Sequence, residues 1–207
     1  MDEARIVCGL EADRLREAAS LLCDAFAEKI EHELRPSSPE QAVRVYVASF
    51  DPARAVAAVG DDGAILGVAG VGAHRSPFSH LTYAILRPEF GVVGALVRRA
   101  YGLLEEFATP RDPSIARIEV LGVREDVRGR GIGSLLLEAS AEFARSTGAR
   151  TLTLEVVDTN GRAKELYERA GFVVTRSIRT GLLTGGAGYN GIHFMRRSLD
   201  EEPASIS

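Results

Sequence analysis

The sequence predicts an α/β fold, and three patterns carry that expectation. Short apolar runs sit between turn-forming residues, as strands do. Longer segments repeat apolar side chains every three or four positions, as half-buried helices do. The apolar run Ile118 to Val123, a glycine-rich loop, and the stripe Ile132, Leu135, Leu136, Ala139 and Phe143 follow one another directly as strand, loop and helix.

In chain order, residues 4–9 read as a first strand. Residues 11–34 carry Leu15, Ala18, Leu22, Phe26 and Ile30 at helical spacing and read as one helix. The cluster Arg35-Pro36-Ser37-Ser38-Pro39 breaks it, and Ser38 can cap a second helix running to about Phe50. Ala53 to Val59 and Ile65 to Ala73 flank Gly60-Asp61-Asp62-Gly63, a hairpin signal. Residues 74–90, with two histidines and two prolines, read as a loop with a short strand near Leu81 to Leu86. Val93, Leu96, Val97, Ala100, Leu104 and Phe107 predict a third helix packed into the core and stopped by Pro110 and Pro113. The strand–loop–helix unit spans 115–147, closed by Gly148. A strand from Thr151 to Val157 leads to the capping residues Asp158-Thr159-Asn160. The short helix after them buries Ala163, Leu166, Tyr167 and Ala170 and stops at Gly171 in a left-handed turn. Residues 172–181 and 190–197 read as a final strand pair around a glycine-rich turn. With no linker-like tract in the middle, one domain over 4–198 is expected, with a short polar tail at 199–207.

The bulk numbers exclude several classes. In 207 residues, 45% hydrophobic and 26% charged content is ordinary for a soluble globular protein. A formal charge of −4 gives no general basic field, so nucleic-acid binding is not indicated. No apolar run approaches the ~20 residues of a membrane span. The acidic start Met1-Asp2-Glu3 is unlike a signal peptide, so a cytoplasmic protein is expected. Cys8 and Cys23 lack C-x-x-C spacing and read as free, buried thiols. His74 and His80 lack metal-ligand spacing, and no metal is expected. His193, on an expected strand, reads as structural.

The loop carries the chemistry. Gly129, Gly131 and Gly133 remove side chains at alternate positions, so backbone N–H groups can close on a ligand. The helix that follows opens with unpaired amides and a partial positive charge, which selects an anion such as a phosphate. Arg128 and Arg130 add forked donors suited to phosphate oxygens.

Arg128-Gly129-Arg130-Gly131-Ile132-Gly133 resembles the R/Q-x-x-G-x-G/A signature of the GNAT superfamily of N-acetyltransferases. Asn160 to Phe172 is similar to that family's second motif, N-x-x-A-x-x-L-Y-x-x-x-G-F. The resemblance implies a mixed, mostly antiparallel sheet of about seven strands, flanked by helices and splayed where acetyl-CoA binds as co-substrate. It implies that the amides of Arg128, Gly129, Arg130, Gly131, Ile132, Gly133 and Ser134 hold the pyrophosphate. The backbone of Leu121, Gly122 and Val123 would pair with the pantetheine arm, Asn160 would contact it, and Tyr167 would sit near the sulfur. A phenol of pKa about 10 can protonate a thiolate whose acid has pKa about 8.5, which suits Tyr167 as general acid. The run Leu154-Glu155-Val156 through Phe172 is especially similar to ribosomal-protein alanine N-acetyltransferases, whose base matches Glu155; Glu119, on the preceding strand, is the competing base. The expected acceptor is a small amine or amino-acid derivative, with a peptide α-amine as runner-up. A homodimer is also an expectation, since dimers are common among such enzymes.

Two readings of other classes compete. A Rossmann-type dinucleotide oxidoreductase shares the strand–glycine loop–helix order. Against it, Ser134 replaces the last glycine of G-x-G-x-x-G, and five residues separate strand from loop. A silent CoA-binding module would need neither Tyr167 nor a base.

Overall fold

The computed structural model describes residues 4–73, 76–108, 112–180 and 188–200, with backbone alone for 100–108. Seven strands make one sheet: β1 (Arg5–Cys8), β2 (Ala55–Val59), β3 (Ile65–Ala73), β4 (Ile115–Val123), β5 (Thr151–Val157), β6 (Val173–Arg179) and β7 (Gly191–Ser198), ordered β1-β2-β3-β4-β5-β7-β6. Only β4 and β5 pair in parallel; every other neighbouring pair is antiparallel. A Rossmann sheet is parallel throughout its nucleotide-binding half, so that competing reading fails here.

Helices cover both faces. Helix α5 (Ile132–Ser146) packs on one face through Ile132, Leu136, Leu137 and Ala141, against Val71, Ile118, Leu152 and Leu154 of the sheet. Helix α6 (Gly161–Arg169) joins it, with Ala163, Leu166 and Tyr167 partly buried. The opposite face carries α1 (Leu15–Ala25), α2 (Ala27–Glu33), α3 (Pro39–Ser49) and the start of α4 (Tyr83–Ala108), around Val45, Val68, Phe78 and Leu86. Ser38 caps α3 as expected, its hydroxyl accepting from the Gln41 N–H at 3.3 Å. The β2–β3 turn closes with the Gly63 N–H donating to the Gly60 carbonyl at 2.9 Å.

Several expectations need correction. The stripe over 11–34 does face the core, but Phe26 (φ −122°, ψ 27°) divides it into α1 and α2. The strand expected near Leu81 to Leu86 is helical from Tyr83, because the Thr82 hydroxyl caps the first turn by accepting from the Ile85 N–H at 3.3 Å. Extended backbone lies just before it, where Ser79 bridges to Phe50. Gly91 (φ 67°) then kinks α4. Beyond the kink Ala95 is buried, but Val93 is 75% exposed and Leu96 59%, so this part of the stripe is not core. Arg98 holds the segment instead, bonding to the Leu34 carbonyl and stacking 3.9 Å from the Phe90 ring centre. Cys23 is buried but Cys8, at the end of the edge strand β1, is exposed. Leu199 is not loose tail: it is buried, and its carbonyl accepts from Arg145 Nε. The glycine-rich turn at 181–187, His74, Pro110 and residues 201–207 lie outside the described residues.

Candidate active site

The parallel β4–β5 ladder is short. It pairs Ile115, Ala116 and Arg117 with Thr151, Leu152 and Thr153, and no further. From Ile118 and Leu154 onward the two strands run unpaired with each other, while β4 stays bonded to β3 through Gly67↔Val123 and Ala69↔Leu121. A V-shaped slot therefore opens between two strands, with backbone polar groups along both sides. Leu121, Gly122 and Val123 lie on its β4 side.

A β-bulge sits at the base of the slot. Gly70 pairs with Val120 and Val71 with Ile118, so Glu119 is the extra residue. Its carboxylate accepts the Phe78 N–H at 3.0 Å and the Ser79 N–H at 3.2 Å. A Cβ on Gly72 of β3 would collide with Glu119 Oε1 and lie 3.1 Å from its Cδ. Gly72 thus makes the room that Glu119 occupies.

Glu155 lies across the slot. On β5 the side chains of Leu152, Leu154 and Val156 enter the α5 core, which turns Glu155 to the opposite face. There Arg117 Nη2 meets Glu155 Oε1 at 3.2 Å, with the arginine side chain buried and the glutamate 28% exposed. Beside Glu155 on β7 is Phe194, whose ring Arg176 covers at 5.9 Å. Both candidate bases and a cation consequently share one face.

The glycine loop caps the far end of β4. Gly129 (φ 82°) and Gly131 (φ 86°) adopt left-handed conformations that disfavour any other residue. Leu135 N–H donates to the Gly131 carbonyl, the first i→i−4 bond of α5, so the amides of Ile132, Gly133 and Ser134 precede the hydrogen-bonded ladder. Gly133 lets α6 approach, since a Cβ there would meet Leu166 at 3.0 Å. Arg128 Nε donates to the Val123 carbonyl, tying loop to strand, and Arg130 reaches the Asp126 carbonyl at 3.4 Å.

Tyr167 belongs to the α5 face, 6.2 Å from the Phe172 ring, and burial pushes its phenol up to about 12. The Asn160 side chain caps α6 by accepting from the Ala163 N–H at 3.1 Å. His193 shares a 2.7 Å hydrogen bond with Ser177 across the last strand pair. Sequence reasoning singled out neither Arg117, Gly72 nor Arg162. Arg117 was visible as a charge in an apolar strand; nothing in the sequence linked Gly72 to Glu119. Among the described residues no group of three or more His, Cys, Asp or Glu is placed to hold a metal ion, and no helix is long and apolar enough to cross a membrane.

A match to the acetyltransferase (GNAT) family runs over residues 18–172. The chain is 42% identical over 57 residues to mycothiol acetyltransferase from Propionibacterium freudenreichii subsp. shermanii, covering 28% of this chain and 18% of that one. It is 46% identical over 55 residues to streptothricin acetyltransferase from Streptomyces lavendulae, covering 27% and 29%. The chain thus spans less than a third of either relative. The ribosomal-protein-S18-alanine N-acetyltransferase from Escherichia coli shares the fold, with a TM-score of 0.54 and 17% identity over 99% of both chains.

Proposed function

This chain belongs to the acetyltransferase (GNAT) family, and from that membership we propose that it transfers the acetyl group of acetyl-CoA to a primary amine. The observation that carries the reading is the β4–β5 slot opening immediately after Arg117 and Thr153, with the glycine loop at its end. A linear thioester fits that shape: its diphosphate on the loop amides from Arg128 to Ser134, its arm along Leu121 to Val123, and Asn160 beside it. Left-handed glycines and first-turn amides are what a diphosphate needs from protein.

The amine arrives mostly as ammonium and must lose a proton before attack. A carboxylate on the α1–α4 face, Glu155 or Glu119, accepts it. The nitrogen then bonds to the carbonyl carbon, an N–H of the unpaired strand stabilises the oxyanion, and the C–S bond breaks. Tyr167, approaching from the α5 face, gives its proton to the departing sulfur. A phenol held at about 12 stays protonated at neutral pH and so carries the proton, while the same burial makes it a weaker acid than a phenol in water. Of the bases, Glu155 is preferred for its resemblance to the base of ribosomal-protein alanine N-acetyltransferases; it pairs with Arg117, whereas Glu119 accepts two backbone amides.

A small amine or amino-acid derivative is the proposed acceptor. Mycothiol and streptothricin acetyltransferases, two of its relatives, are named for small molecules. The test is thiol release from acetyl-CoA over a panel of small amines and N-terminal peptides, with binding measured by calorimetry. Small amines are expected to turn over. Turnover confined to peptides would reverse the acceptor, and no binding of acetyl-CoA at millimolar levels would end the reading.

A further inference from the structure

We propose that Arg162 is a phosphate-binding cation of this site, reaching from α6 onto the glycine loop; the inference rests on the loop's reading as a phosphate cradle. Arg162 Nη2 lies 3.7 Å from the point that a Cβ on Gly129 would occupy. Gly129 has none, so only backbone separates the guanidinium from the loop. Two segments remote in sequence thus meet, and the group between them is an exposed cation.

The partners of the surrounding charges single Arg162 out. On α6 itself, Lys164 pairs with Glu168 and Arg169 with Glu165, each four residues away. Around the loop, Arg124 forks onto Asp126 at 2.6 and 2.9 Å, and Arg128 and Arg130 are directed to backbone carbonyls. Among the described residues Arg162 has no acid and no acceptor. Its place in the helix is also unfavourable: it is the second residue of α6, where the helix dipole repels a cation. An unpaired guanidinium at a helix start, lying beside Gly129 of a loop whose amides favour an anion, is compensated by a ligand carrying negative charge. A forked guanidinium matches phosphate oxygens better than it matches any neutral part of a thioester.

Coenzyme A offers two such groups, the pyrophosphate and the ribose 3′-phosphate, and comparing acetyl-CoA with 3′-dephospho-acetyl-CoA tells them apart. Arg162→Ala is expected to raise the Kd for acetyl-CoA about 10- to 100-fold, the scale of a lost charge-assisted contact. Arg162→Lys should recover part of the loss, because charge remains while the fork does not. The same loss with the dephospho compound assigns the pyrophosphate; a loss confined to the full cofactor assigns the 3′-phosphate. If Arg162→Ala binds both compounds as tightly as the parent, the proposal is overturned while the cradle stands. A parent protein that binds neither overturns the cradle and the proposal together. The side chain is exposed, so an unchanged thermal midpoint is the control for folding.

Discussion

Replacing Gly72 by alanine tests whether the bulge carboxylate is held by its surroundings. The strand backbone at Gly72 tolerates alanine, so the cost comes from space alone. The added methyl would overlap Glu119 Oε1 and lie 3.3 Å from Pro77 Cα, so the carboxylate must move and the 77–79 backbone cannot easily make room. Moving it lengthens bonds now at 3.0 and 3.2 Å. A hydrogen bond to a charged group is worth roughly 1.5–3 kcal/mol. Partial exposure of Glu119 reduces that, and removing a flexible strand glycine returns roughly 0.5–1 kcal/mol. The net expectation is a loss of about 2–4 kcal/mol in urea unfolding. Most of it should vanish when Glu119→Ala is already present, because the collision is then gone. Fully additive costs in that double-mutant cycle, or no loss in the single variant, would refute the argument.

Other outcomes are equally concrete. Tyr167→Phe should cut acetyl transfer by ~10²–10⁴-fold with acetyl-CoA affinity nearly intact; unaltered turnover removes the phenol from the mechanism. Because burial raises the folded-state phenol to about 12 against about 10 unfolded, Tyr167 makes stability pH-independent below 10 and falling between 10 and 12. The parent should lose up to roughly 2–3 kcal/mol more than Tyr167→Phe across that window, and equal losses would contradict it. Native protein should offer one thiol, Cys8, to a disulfide reagent and two after denaturation, since burial pushes Cys23 up to about 12. Two rapidly reacting thiols in the folded protein would be inconsistent with this packing.

What the sequence made legible was whatever depends on local pattern. The strand–loop–helix unit, the Ser38 cap and the Gly60–Gly63 hairpin need only neighbours along the chain, and each formed where its residues predicted. Residues 76–90 were opaque because their order comes from distant partners: Phe78 stacks 4.4 Å from Phe50, and its amide is bound by Glu119. The apolar stripe from Val93 looked like core because periodicity reports amphipathicity without saying what lies opposite; after Gly91 turns the helix, much of that face meets solvent. At the site, Glu155 was legible as a charge in an alternating strand. Its pairing with Arg117 was not, since it crosses strands whose register no motif specifies.

The bulge sets which way β4 faces along the slot. Below it, Ala116 and Ile118 of β4 face α5; above it, Leu121 and Val123 do, while Val120 joins the opposite core. One inserted residue has shifted the alternation, which a regular strand cannot do. The shift turns Gly122 towards α1, where a Cβ would stand 2.9 Å from Leu22 and 3.2 Å from Ala25, so glycine is required there. Glu119, like Arg117, is on the face that carries Glu155 by the ordinary alternation from Ala116 and Ile118, just past the last residue of β4 that pairs with β5. The return of Leu121 and Val123 to the α5 core and the close approach of α1 at Gly122 are therefore consequences of a single irregularity. A chain that lost the bulge would have to give up both.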